Sequence, residues 1–219
     1  MTGSSPPPHQ GQVFAAGEGN AWFARNREHL LAFNREEDLP LRLLRLFQVR
    51  PRRTLEIGCS NGARLNALKQ EFGAQVVGVD LSEEATQDGR ARYGLDLRVQ
   101  AAHKVNVAGP FDLVIVHFVL HWIDRSELDE VIQCIDQQVA SGGLLLIGDF
   151  CPDRPTRVRY HHLEADELWT YKENYPTRFL DLGKYVQVGQ LTGDHREFTP
   201  CTGVESAERI GNWLLEKRG

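Results

Sequence analysis

The chain has 219 residues, 41% hydrophobic and 25% charged, with 25 Lys and Arg against 30 Asp and Glu for a net charge of −5. A chain of this length ordinarily closes around one core, and its composition excludes wholesale disorder and a membrane-embedded body. The acidic balance also argues against a protein that coats nucleic acid.

Met1 to Gln10 has no Lys, Arg or apolar run and carries Pro6, Pro7 and Pro8. It does not read as a secretory signal, and residues 1–16 are expected to form a disordered tail. Cys59, Cys134, Cys151 and Cys201 lie far apart without a C-x-x-C pair, so they read as reduced thiols in a cytoplasmic protein, with no metal site. The apolar stretch Leu113 to Leu120 is broken by His117 and falls short of the ~20 residues of a membrane span.

Residues 17–219 are expected to form a single domain. Ala21 to Glu37 reads as a charged helix, and Leu39, Leu43, Leu44 and Phe47 recur at helical spacing before Pro51. Thr54–Ile57 reads as a first strand entering a Gly-rich turn, with Leu65, Leu68 and Phe72 striping the helix that Gly73 ends. Val76 to Leu81 is a second strand, followed by Ser82 as N-cap with Glu83 and Glu84 in the first helical turn. Leu95–Gln100 and Phe111–Val116 are strands three and four. Ser126 with Asp129 reads as a capping box for a helix carrying Leu128, Val131, Ile132, Ile135 and Val139, which Gly142 and Gly143 stop before a fifth strand, Leu144–Phe150. Tyr185–Leu191 and Arg209–Leu215 read as a terminal antiparallel hairpin. This alternation predicts an α/β, Rossmann-like, mostly parallel seven-stranded sheet with helices on both faces.

Ligands of open α/β sheets sit outside the carboxyl ends of the strands. After the first strand stands Glu56-Ile57-Gly58-Cys59-Ser60-Asn61-Gly62, and Asp80 closes the second strand 22 positions beyond Gly58. An acid at that spacing suits a ribose hydroxyl pair, because a carboxylate accepts two hydrogen bonds. Ser60 and Ala63 replace the second and third glycines of a dinucleotide fingerprint, which disfavours a pyrophosphate, and no phosphate-loop Lys follows. A phosphate-free nucleoside with cationic groups remains, and S-adenosylmethionine fits that description.

The segments Leu55–Gly62 and Val79-Asp80-Leu81-Ser82 resemble the cofactor loop and acidic loop of the class I S-adenosylmethionine-dependent methyltransferases. Phe111–Val116 leading to Phe118-Val119-Leu120-His121-Trp122 is similar to their fourth-strand motif, and Ser141–Leu146 to their fifth-strand entry. The resemblance implies that Glu56, Gly58 and Gly62, with the intervening Cys59, Ser60 and Asn61, surround the amino-acid part of the cofactor. It implies Asp80 at the ribose, Leu81 on one adenine face, and Ala101 and Ala102 at the adenine edge. It also implies transfer of a methyl group to oxygen or nitrogen of a small-molecule acceptor.

Such transfer needs in-line orientation and exclusion of water, and a protonated acceptor gains from a base of near-neutral pKa. His117 and His121, just after the fourth strand, are candidates for that role, with His117 also beside the cofactor; packing is the alternative for both. His161, His162, Trp169, Tyr171, Lys172, Tyr175 and Arg178, within an insertion over residues 151–182, are expected either to line the acceptor pocket or to cover the sheet. The N-terminal helices in residues 17–50, with Trp22 and Phe23 beside Arg25 and Arg27, are read either as a lid or as helices packed against the sheet. Two rivals remain: an NAD(P)-dependent oxidoreductase, opposed by Ser60, and a nucleoside-binding protein without turnover. Nucleic-acid methylation is disfavoured by the charge and by His117-Phe118-Val119-Leu120 in place of Asn-Pro-Pro-aromatic. The oligomeric state is left open.

Overall fold

The computed structural model describes residues 10–163 and 168–219. The expected tail over residues 1–9 and the insertion's residues 164–167 lie outside them. Seven strands form one sheet in the order β3-β2-β1-β4-β5-β9-β8, and a separate two-stranded ribbon is built from β6 and β7. The strands are β1 (Arg53–Ile57), β2 (Gln75–Asp80), β3 (Asp96–Val99), β4 (Phe111–His117), β5 (Val139–Phe150), β6 (Thr156–Arg159), β7 (Trp169–Lys172), β8 (Tyr185–Asp194) and β9 (Arg209–Lys217). The first five sheet strands pair in parallel, while β9 runs antiparallel to both β5 and β8.

Burial follows from the sequence pattern. Leu55, Ile57, Val114, Val116, Leu145 and Ile147 turn to one face, where α6 (Leu128–Gln138) and α7 (Pro176–Leu180) bring Val131, Ile135 and Phe179 against them. Leu113, Ile115 and Leu146 turn to the other face, under α3 (Leu39–Leu46) and α4 (Ala63–Phe72) with Leu43, Leu44, Leu65 and Leu68. Strands covered on both faces read as continuous apolar runs. The helix α5 (Glu83–Tyr93) starts at Ser82, whose side chain accepts from the Ala85 amide. Asp112 sits at the amino end of β4 and accepts from the Arg52 and Arg53 amides, a structural role far from the carboxyl edge.

Several boundaries differ from the sequence reading: β5 begins at Val139 rather than Leu144, and β8 and β9 run on to Asp194 and Lys217. Within the expected tail, Gln10–Val13 forms α1 and continues as one π-helical turn, Phe14–Glu18, into α2 (Gly19–Leu31). Tertiary contacts hold this segment: Gln10 is buried, donates to the Trp122 carbonyl at 2.7 Å and accepts from the Trp169 amide at 2.6 Å. The charged helix ends at Leu31, short of Glu37, because the Asn34 carbonyl takes the Glu37 and Asp38 amides in a turn. Ser126 makes no cap; α6 starts at Leu128 after Glu127, which gives no side-chain hydrogen bond to the helix. That helix stops at Gln138, four residues before Gly142, because Val139 already pairs with Phe111 in the sheet.

Candidate functional site

The carboxyl ends of β1, β2, β4 and β5 meet where the sheet order reverses beside β1, which is where such sheets place ligands. The turn after β1 has Gly58 at φ 75°, Ser60 at φ 49° and Gly62 at φ 73°. Left-handed backbone is what glycine supplies without a steric cost. A Cβ on Gly58 would overlap the Val119 side chain, so the loop after β4 closes directly onto this turn.

Asp80 ties the two loops together. Its Oδ2 accepts from the Ser60 amide at 2.8 Å and its Oδ1 from the Ser82 amide at 2.8 Å. Burial raises its pKa, and these amides oppose the shift. Each oxygen keeps a second lone pair for a ligand hydroxyl. Leu81 stands next to it, and the start of α2 lies on this loop: Asn20 Oδ1 accepts from Ser82 Oγ at 2.8 Å and from the Glu84 amide at 3.2 Å. Ala101 and Ala102 follow β3, where Ala102 opens a short 3-10 turn and is buried.

Beneath the turn lies a buried charged network that the sequence reading missed. Arg64, on α4, donates to both oxygens of Asp38, the N-cap of α3, to Glu56 Oε1, and to His117 Nδ1 at 3.2 Å. Against the burial that works to lower it, the carboxylates of Asp38 and Glu56 raise the Arg64 pKa. Burial pushes Glu56 up to about 7, with Arg64 pulling the other way. Burial, then the Arg64 charge, then His121 hold His117 well below its ordinary value, so its ring is neutral. Because guanidinium only donates, His117 Nδ1 is the accepting nitrogen. His117 is thus occupied by Arg64, unlike the free base its position implied. Only glycine fits its neighbour on β5, since a Cβ on Gly148 would overlap the His117 ring and lie 2.6 Å from Asn212 Oδ1.

The loop residues divide between backbone and side chain. Cys59 turns its buried thiol into the α4 core, and Asn61 is spent locally, accepting from the Ala63 amide and donating to Asp88. Among the described residues, Glu56 Oε2, Ser60 Oγ and His117 Nε2 are buried polar atoms without a hydrogen-bond partner. An orphaned carboxylate oxygen and hydroxyl at the carboxyl edge of β1, with Asp80 alongside, fit the ammonium and hydroxyl groups of S-adenosylmethionine.

On the opposite face, His121 is buried and packs its Nδ1 3.0 Å from Oδ1 and 3.2 Å from Oδ2 of Asp149, which is fully buried near the end of β5. Asp149 sits inside an apolar strand, Leu144–Phe150, and that surrounding run concealed it in the sequence.

The insertion does not converge as one pocket. Tyr175 is fully buried and donates to the Tyr171 carbonyl at 2.6 Å, so it belongs to the core. Lys172 is buried too, donates to the Ala207 carbonyl at 2.6 Å and lies 4.1 Å over the Phe150 ring, and is not free for an acidic acceptor. Arg178 pairs with Glu173, Tyr171 stacks under Arg125, and Trp169 stacks under Arg157. His161 and His162 are exposed in a turn, their rings 3.9 Å apart. Packing, cation–π stacking and an ion pair claim all of these groups except His161 and His162. Tyr160, just before the two histidines, reaches the N-terminal helices and the turn after β4: with Arg25 it bonds Glu18, and its ring meets Trp122 at 4.6 Å.

Residues 23–192 match a family model described as a methyltransferase domain. An O-methyltransferase of Penicillium expansum, cnsE, is 26% identical over 195 residues, spanning 79% of this chain and 68% of that protein. A malonyl-[acyl-carrier protein] O-methyltransferase of Legionella pneumophila is 32% identical over 116 residues, 50% of this chain and 40% of its own length. Among solved structures, a Burkholderia thailandensis 1,6-didemethyltoxoflavin-N1-methyltransferase, with bound 1,6-didemethyltoxoflavin and S-adenosylhomocysteine, is similar with a TM-score of 0.71 and 16% identity, over 100% of this chain and 94% of that one. The N-methyltransferase NodS of Bradyrhizobium japonicum WM9, in complex with S-adenosylhomocysteine, gives a TM-score of 0.60 and 18% identity over 84% and 86% of the two chains. At these identities the two structures share the fold.

Proposed function

The chain belongs to the class I S-adenosylmethionine-dependent methyltransferases, and from that premise we propose that it methylates oxygen or nitrogen of a small-molecule acceptor held at the carboxyl edge of β1, β4 and β5. When bound, S-adenosylmethionine supplies an electrophilic methyl carbon on a cationic sulfur. In this reading Glu56, Gly58 and Gly62 surround its amino-acid end, with Ser60 contributing its hydroxyl, its amide being held by Asp80, and Cys59 and Asn61 backbone only. Asp80 takes the ribose hydroxyls, Leu81 and Ala101–Ala102 flank the adenine, and His117 lines the floor as a neutral ring. The N-terminal helices roof the crevice, which favours a compact acceptor and keeps water from the reacting atoms.

The observation that carries this reading is Asp80 joined to the Ser60 and Ser82 amides, with lone pairs left for a ligand. Calorimetry of the full chain with S-adenosylhomocysteine and NADH side by side tests it. S-adenosylhomocysteine is expected to bind and NADH not, because Ser60 stands where a pyrophosphate needs glycine. Asp80→Ala is expected to weaken binding ~10- to 100-fold, the worth of hydrogen bonds to a charged group, with the fold retained by circular dichroism. Preference for NADH, or equal affinity in the variant, refutes the assignment.

A further inference from the structure

We propose that Asp149 is a positioning residue that holds His121 as the proton acceptor for a hydroxyarene substrate, an inference that rests on the methyltransferase reading above. Its basis is the second polar pair at the carboxyl edge, on the sheet face opposite Arg64 and His117. The fully buried carboxylate of Asp149 meets three N–H donors: His121 Nδ1, the His121 amide at 3.3 Å and the Phe150 amide at 2.8 Å. A carboxylate so engaged only accepts, so Nδ1 carries the hydrogen and Nε2 carries the lone pair. No hydrogen-bond partner for Nε2 exists among the described residues.

The surroundings name the acceptor class. His121 stands in the 3-10 turn Leu120–Trp122 after β4, entered through Phe118 at φ 56°. The rings of Trp122, Phe150 and Phe118 lie 4.7, 5.3 and 5.7 Å from the His121 ring. Trp122 in turn touches Phe14 and Tyr160 beneath the N-terminal cover. Flat apolar walls beside one basic nitrogen suit an aromatic ring bearing a hydroxyl. A carboxylate acceptor needs no base and would be desolvated against the Trp122, Phe150 and Phe118 rings, so this arrangement selects against it.

The acceptor oxygen forms its bond to the methyl carbon as the sulfur–methyl bond breaks with its electron pair on sulfur, and the hydroxyl proton passes to His121 Nε2. Asp149 stays ionised and stabilises the resulting imidazolium, which then releases the proton to water. This is the arrangement in which a carboxylate fixes tautomer and ring orientation without itself taking the proton.

The test uses the full chain with S-adenosylhomocysteine bound, uniformly nitrogen-15 labelled. Long-range proton–nitrogen spectra are expected to show His121 as the Nδ1–H tautomer, with that form depleted in Asp149→Asn and Asp149→Ala. The Asn variant keeps the shape should Ala fail to fold. Catechol offered with S-adenosylmethionine is expected to be methylated ~100-fold more slowly by Asp149→Asn than by the wild type, the lower range of what a positioned base contributes. Affinity for S-adenosylhomocysteine should stay within about twofold, and benzoate should not be methylated. An Nε2–H tautomer in the wild type overturns the proposal, as does methylation of benzoate or a catechol rate no faster than that of Asp149→Asn. Failure to bind S-adenosylhomocysteine defeats the parent reading instead.

Discussion

Glu56 stands under two opposed demands. Burial favours its neutral form and raises its pKa to about 7, while Arg64 on Oε1 favours the anion and Oε2 is left without a partner among the described residues. A cationic ligand at Oε2 sides with Arg64. Affinity for S-adenosylhomocysteine, whose ammonium is the relevant cation, should therefore rise with pH through about 7 and then level off. The stability of the free protein should run the other way. A folded-state pKa above the unfolded value means that the native state holds the extra proton, so the contribution is full below the unfolded pKa, near 4.5, and is lost as pH rises through about 7. Calorimetry across this range in two buffers of different ionisation heat, with melting curves of the free protein, checks both slopes against Glu56→Gln. A variant with wild-type slopes would place the titrating group elsewhere.

The turn from β1 into α4 shows how one element serves packing and ligand together. Gly58→Ala imposes a left-handed backbone on a residue with Cβ, costing ~1–2 kcal/mol, and drives that Cβ into Val119, overpacking worth ~1–3 kcal/mol. The melting point should drop and S-adenosylhomocysteine binding should be lost. Adding Val119→Ala relieves the overlap but not the backbone, so denaturant titration should show partial recovery; full recovery would mean that the φ of Gly58 is not restrictive. This element was legible in the sequence because its glycines and apolar strand carry local reasons for their conformation. The same holds for Ser82 as N-cap and for Asp80 at the strand end. Elements held by distant contacts were not legible. Gln10 looks like part of a polar tail until Trp122 and Trp169 take its side chain, and β6 is exposed along its length, with no burial pattern to read. Asp149 lay hidden for the converse reason, as one acid in a buried strand whose meaning depends on His121, 28 positions away.

At the scale of the molecule, the N-terminal segment joins the two sides of the crevice. Asn20 binds the loop after β2, while Gln10 and Phe14 reach the turn after β4 and Glu18 and Arg25 reach Tyr160 of the insertion. A ligand beneath such a cover stabilises it, and loosening the cover weakens the ligand by the same coupling free energy. Tyr160→Phe removes one hydrogen bond to the buried carboxylate of Glu18, worth ~1.5–3 kcal/mol for a charged partner. Where residues 10–31 open locally, amide exchange there should speed up ~10- to 100-fold, while exchange in β4 and β5, which open only with the whole fold, should change little. S-adenosylhomocysteine should slow exchange across the same segment in both proteins, and it should bind less tightly to the variant. Exchange over residues 10–31 that is indifferent to S-adenosylhomocysteine would make these helices a fixed part of the scaffold, with no role in retaining the cofactor.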